Sequence, residues 1–277
     1  MKKWTTLDTA LMPDGQEISL QEHDGDYSVR LGVVELMGTR KHASEDMLAA
    51  AACEGLRGVR GARVLIGGLG LGFTLRTALA ALGPDASVVV AEISPAVLKW
   101  NSNRELPLAS DVLADPRTSV VIRDVAEVIR ESPSGFDAIM LDVDNGPAEL
   151  SSDGNYRLYD QHGLQTARAA LRPGGCVAFW SATASPAFEK LMARSGFAVE
   201  VRRCRANGKN GGWHSIFIGR LKAKSAARQL HPAQQPEARG DAQPKRDRSP
   251  ARALHKVRRR EQHEAEGDGK VPPAPLS

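Results

Sequence analysis

The chain has 277 residues, enough for one large domain or two small ones. With 42% hydrophobic and 25% charged residues it can bury a sizeable core. The formal net charge is +4, but residues 221–277 hold 13 Lys+Arg against 7 Asp+Glu, which leaves 24 against 26 in the rest of the chain. No run approaches the roughly 18 apolar residues of a membrane span, so no membrane association is expected. The start, Met1-Lys-Lys-Trp-Thr-Thr-Leu-Asp8, carries an early acid and no apolar stretch, which predicts no signal peptide. Cys53, Cys176 and Cys204 lie far apart and without metal spacing. They predict neither a disulfide scaffold nor a zinc module, and they fit a reducing, cytoplasmic setting with no metal.

Taken in chain order, residues 16–37 read as a β-hairpin. Glu17-Ile-Ser-Leu-Gln-Glu22 alternates, His23-Asp-Gly-Asp26 supplies the turn, and extended character resumes at Tyr27. A helix follows from Ser44, read as its N-cap, through an Ala-rich run to Cys53. From Ala62 strands and helices alternate. The strands are 63–67, 87–92, 118–122, 136–142 and 176–181, and the helices are 71–82, 94–103, 126–131, 161–171 and 187–195. Two last strands, 198–203 and 213–218, flank the turn-rich Asn207-Gly-Lys-Asn-Gly-Gly212. Continuous apolar strands between helices predict an α/β, doubly wound, mostly parallel sheet of seven strands covered on both faces.

After Arg220 there is no Phe, Trp or Tyr, and 7 of the 16 prolines fall there. Such a segment buries too little apolar surface to offset its ordering entropy. The expected organisation is therefore a β-hairpin cap and helix over 1–59, a nucleoside-binding catalytic domain over 60–220, and a disordered basic tail over 221–277. Lys256-Val-Arg-Arg-Arg260 offers nucleic acid a weak electrostatic contact at most, since no aromatic residue interleaves with its charges.

Four stations carry chemistry. The loop Gly67-Gly-Leu-Gly-Leu-Gly72 joins a strand to a helix. Gly67, Gly68, Gly70 and Gly72 would let backbone approach a ligand at a helix N-terminus, although a glycine loop alone also makes a tight turn. Glu92 ends the second strand, about 20 residues on, where a carboxylate accepts from both hydroxyls of a ribose; the alternative is a helix-capping acid. Asp124, just past the third strand, suits an adenine amino group, with the Val125 N–H for a ring nitrogen. It also suits an N-cap, and both roles can hold together. Asp142-Val-Asp-Asn-Gly-Pro147 puts Asp142, Asp144 and Asn145 at the tip of the fourth strand. Open α/β sheets bind ligands there, and so many polar groups suit a cation or solvent.

In this order and spacing the stations resemble the class I S-adenosylmethionine-dependent methyltransferase-like (Rossmann-like) fold. More narrowly, residues 17–220 resemble the spermidine/spermine synthase (polyamine aminopropyltransferase) family. Residues 35–48 are similar to the segment leading into its Tyr-x-Glu-Met helix, and Asp115-Pro-Arg117 with Asp124 is similar to its Asp-Pro-Arg-Val strand and following Asp. Phe136–Asp142 with Gly146-Pro-Ala-Glu149 is similar to its catalytic stretch, and Leu158-Tyr159 and Leu171-Arg-Pro-Gly-Gly175 match the run that follows.

The resemblance implies decarboxylated S-adenosylmethionine as co-substrate, a small amine such as putrescine as acceptor, and no metal. Asp142 would orient and deprotonate the amine and Asp144 would hold a second cationic nitrogen, with Tyr159 completing a polar wall. His42, Glu45 and Asn145 would line the substrate pocket. In the family such a β cap often mediates dimers, so a homodimer is an expectation. Three departures stand out. Leu71 occupies the loop position where the family carries an Asp for the donor's amine, Ser44-Glu45 replaces a Tyr-Gln pair, and the catalytic loop is two residues shorter. Leu71 favours the alternative, methyl transfer from S-adenosylmethionine itself to another acceptor. A non-catalytic binding protein is the third class, and Glu92, Asp124 and Asp142 speak against it.

Overall fold

The computed structural model describes residues 3–143, 146–147, 156–206 and 211–222, with the backbone alone at Tyr156. Four strands come first: β1 (Thr5–Leu11), β2 (Glu17–His23), β3 (Asp26–Leu31) and β4 (Val34–Gly38), an antiparallel sheet in that order. The expected hairpin is β2 and β3, turned at Asp24 (φ 51°) and Gly25 (φ 83°). Gly32, at φ 57°, breaks the second arm and starts β4. The sequence reading missed β1. It is held from outside, because the Asp8 carboxylate accepts from Trp100 Nε1 and Lys99 Nζ, each at 2.9 Å.

Helix α1 (Ala43–Cys53) follows. Its N-cap is His42, which caps with no side chain, and not Ser44, which is buried in the first turn. Although grouped above with the cap, α1 packs on the main sheet against its strands β8 (Phe136–Leu141), β9 (Leu171–Ser181), β10 (Ala198–Arg205) and β11 (Trp213–Arg220).

The rest of that sheet is β5 (Arg63–Gly67), β6 (Ser87–Glu92) and β7 (Thr118–Ile122), and the order is β10-β11-β9-β8-β5-β6-β7. Only β11 runs opposite to the other six strands. The mostly parallel seven-stranded sheet is therefore as expected. The connecting helices are α2 (Phe73–Ala81), α3 (Pro95–Ser102), α4 (Ser110–Leu113), α5 (Val125–Arg130), α6 (Tyr156–Tyr159), α7 (Gln161–Ala170) and α8 (Pro186–Arg194). Side chains of Ser94, Asp124, Asp160 and Ser185 accept from backbone N–H groups at the starts of α3, α5, α7 and α8, and Pro95 and Pro186 hold first-turn positions.

Successive residues of β5 serve two cores: Val64 and Ile66 face α1 and α2, whereas Leu65 faces α5, α7 and α8. All three are fully buried, which is why the strand reads as a continuous apolar run. The chain order reverses between β5 and β8, so the crevice at the carboxyl ends of those strands is the ligand position of an open α/β sheet.

Beyond β11, the Leu221 N–H donates to the Gly175 carbonyl at 2.9 Å and its side chain packs on the second core. A chain ended after Lys222 should keep its melting temperature within a few degrees of the full chain, a change of about 1 kcal/mol or less. A larger fall in thermal unfolding would place core contacts in the tail. Among the described residues, no helix is long and apolar enough to cross a membrane.

Candidate active site

The glycine loop leaves β5 at the crevice. Its conformation requires glycine at Gly68, where φ is 87° and an added Cβ would lie 2.5 Å from the Asp142 carbonyl oxygen. The two strand tips are tied together, since the Asp142 N–H donates to the Gly67 carbonyl at 3.1 Å. The Gly68 N–H donates to the Ala91 carbonyl at 2.9 Å, which links the loop to β6 as well. Asn101, buried on α3, donates Nδ2 to the Gly70 carbonyl at 2.9 Å and pins the far side of the loop. Leu71 is turned into the core at 5% exposure. The loop position where the resembling family carries an acid is thus a packing position here.

Glu92 ends β6 at 6% exposure. One carboxylate oxygen accepts from the Leu69 N–H and the other from the Ser94 N–H, each at 2.8 Å. Burial pushes its carboxyl above the ordinary range, and these backbone donors oppose the shift. Each carboxylate oxygen offers two lone-pair directions, so acceptor capacity remains beyond the Leu69, Ser94 and Ile93 backbone N–H groups. That capacity, at the floor of a glycine loop, fits the paired hydroxyls of a ribose.

Asp124 caps α5 through the Ala126 N–H at 2.8 Å, and its other oxygen pairs with Arg157 of α6. No local pattern pointed to Arg157, which lies 33 residues away. Val125 is buried, and its side chain would lie 2.9 Å from a Cβ added at Gly67. Asp142 is partly buried at the tip of β8. Asp144 and Asn145 lie outside the described residues. Gly146 (φ 90°) backs onto Ser181, whose Oγ would be 2.4 Å from an added Cβ, so the returning loop lies on the tip of β9.

Tyr159 is 3% exposed, with ring centroid 5.7 Å from both Phe179 and Phe188. Its ring is part of the apolar core beneath α7, on the face opposite α1. His42 and Glu45 lie at the start of α1, and His42 reaches the helix that follows the glycine loop. The His42 ring stacks on Phe73, the first residue after the glycine loop, at 4.1 Å and 10°. Its Nδ1 is 2.7 Å from Asp46, which also accepts from Thr77 Oγ1 at 2.7 Å. Glu45 accepts from the Ser44 hydroxyl at 2.7 Å, and burial raises its carboxyl. No group of side chains suited to hold a metal occurs among the described residues.

No family model matches the chain. Curated polyamine aminopropyltransferases from two strains of Saccharolobus islandicus are each 31% identical over 125 residues, 45% of this chain and 40% of theirs. The chain thus matches well under two thirds of the length of these relatives. Among solved structures, spermidine synthase from Thermotoga maritima superposes with a TM-score of 0.62 at 21% identity, over 78% of this chain and 72% of that one. A spermidine synthase in complex with the transition-state analogue AdoDATO gives 0.61 at 19%, over the same shares of 78% and 72%. The fold is therefore that of an α/β protein of the methyltransferase-like class. Within that class it resembles the spermidine synthases, as the motifs suggested.

Proposed function

We propose that this chain is a transferase that moves an aminopropyl group from decarboxylated S-adenosylmethionine to a small amine, with putrescine-type diamines as first acceptors. One observation carries the reading: a deeply buried Glu92 with spare acceptor capacity lies across the glycine loop from Asp142, so a nucleoside site and an acid share one crevice. The similarity to polyamine aminopropyltransferases supports it.

The reaction is an in-line displacement. The acceptor nitrogen, once it has lost its proton, attacks the methylene carbon bonded to the sulfonium. An N–C bond forms, the C–S bond breaks, and its electron pair leaves on sulfur as a neutral thioether. Little acid catalysis is needed, so the protein's work is positioning and proton removal. Glu92 would hold the ribose and Asp124 the adenine amino group. Asp142 would orient the amine and take its proton.

Leu71 favours a second reading, methyl transfer from S-adenosylmethionine, because its buried side chain offers the donor's amine no partner. Product analysis with each donor, offering putrescine and spermidine, separates the two. Aminopropylated amine that falls by about 10²-fold or more in Asp142→Asn is the expected result. Methylated product from S-adenosylmethionine alone would overturn it.

A further inference from the structure

The sequence reading gave no role to His214, on β11. It stands at the carboxyl edge of the sheet, next to Ser215, whose β9 partner Ser181 is the residue that Gly146 of the Asp142 loop backs onto. Its Nδ1 is 3.0 Å from the Ser44 hydroxyl oxygen, 170 residues away. That hydroxyl has one proton and donates it to Glu45 at 2.7 Å. With Glu45 ionised the carboxylate only accepts, and Ser44 then receives a hydrogen from Nδ1–H. That arrangement selects one tautomer of the imidazole, with Nδ1 protonated and Nε2 bare. Burial lowers its affinity for a second proton, which keeps the ring neutral.

We propose that Glu45, Ser44 and His214 form a relay that presents the His214 Nε2 lone pair, backed by the Glu45 charge, to the non-reacting ammonium group of a diamine acceptor. The assignment rests on the transferase reading above. An ammonium has three donors and no acceptor, so it needs lone pairs and negative charge on its partner. Neutral imidazole supplies the first and Glu45 the second. The Trp180 ring stands edge-to-face with His214 at 4.7 Å. Its buried Nε1–H has no hydrogen-bond partner among the described residues, so the cluster they form is incomplete by itself. A water ordered beside the amine would complete it.

Nitrogen-detected NMR of histidine in the full chain reads the tautomer directly. The expected spectrum has Nδ1 protonated in the wild type and a tautomer mixture in Ser44→Ala. Calorimetry with methylthioadenosine present then compares putrescine with butylamine. His214→Phe, which keeps an aromatic ring beside Trp180, should weaken putrescine about tenfold or more and leave butylamine unchanged. In turnover the loss should appear in the KM for the diamine and not in kcat. Should His214→Phe fail to fold, Ser44→Ala carries the same binding test. An Nε2-protonated ring, or unchanged putrescine affinity in a folded variant, would overturn the relay. Turnover with no amine, beside intact diamine binding that depends on His214, would instead reject the transferase reading and leave the relay standing.

Discussion

Glu92→Gln is expected to weaken methylthioadenosine binding by about 1.5–3 kcal/mol, the scale of a hydrogen bond to a charged group, in a protein that still folds. The carboxylate oxygens each meet a backbone N–H, from Leu69 and Ser94. A glutamine side chain accepts with one end only, and its NH2 would face the other N–H. A ribose then loses a charged acceptor and gains a competing donor.

Folding stability and ribose binding should depend on pH with opposite signs at this group. Burial raises the folded-state carboxyl of Glu92 above its unfolded value. Its contribution to stability is therefore complete below the ordinary carboxylate range and is lost as pH rises through the raised value. Ribose binding needs the ionised form and should strengthen over the same interval. In Glu92→Gln both dependences disappear. Urea unfolding and nucleoside titration from about pH 4 to about pH 8 span that window. Equal nucleoside affinity in folded wild type and variant would remove Glu92 from the site.

The central strands from Arg63 onward were legible because β5, β6 and β8 are buried on both faces, so their apolar runs are nearly unbroken. The strand tips were legible for the same reason: Glu92 and Asp142 are the first charged residues after such runs. Arg172-Pro-Gly-Gly175, between the expected helix 161–171 and strand 176–181, lies inside β9, where the pairing with β8 shifts register between Phe136 and Ala138. The Pro-Gly-Gly run accommodates that irregularity. Strand β1 was invisible because its anchor is Asp8, bonded to residues more than 90 positions away. Ser44 has the composition of an N-cap, but Glu45 and His214 take its hydroxyl. Arg157 on Asp124 and the His214 relay join residues distant in sequence, and no local pattern signals such pairs.

Gly68→Ala is expected to cost more activity than stability. Two penalties combine at this residue. The first is conformational: φ of 87° is a backbone state that carries roughly 1–2 kcal/mol for a residue with a Cβ. The second is steric and specific, because the new methyl would lie 2.5 Å from the Asp142 carbonyl oxygen and 3.4 Å from its carbon. Both are backbone atoms, so relief requires the loop or the strand tip to move as a unit. Either movement separates Asp142 from the nucleoside floor at Glu92. A displacement on the order of 1 Å in a positioned group costs about 10²-fold in rate.

Gly15 supplies the control. It has φ of 84° in the turn between β1 and β2, and nothing lies within 4 Å of an added Cβ. Gly15→Ala therefore carries the conformational penalty alone, far from the crevice. The two variants should show similar losses of melting temperature up to the extra strain at Gly68, whereas only Gly68→Ala should lose kcat by about two orders of magnitude. Equal kcat in the two variants would mean that the loop yields without moving Asp142, and that the close packing of the strand tips does not set the position of the acid.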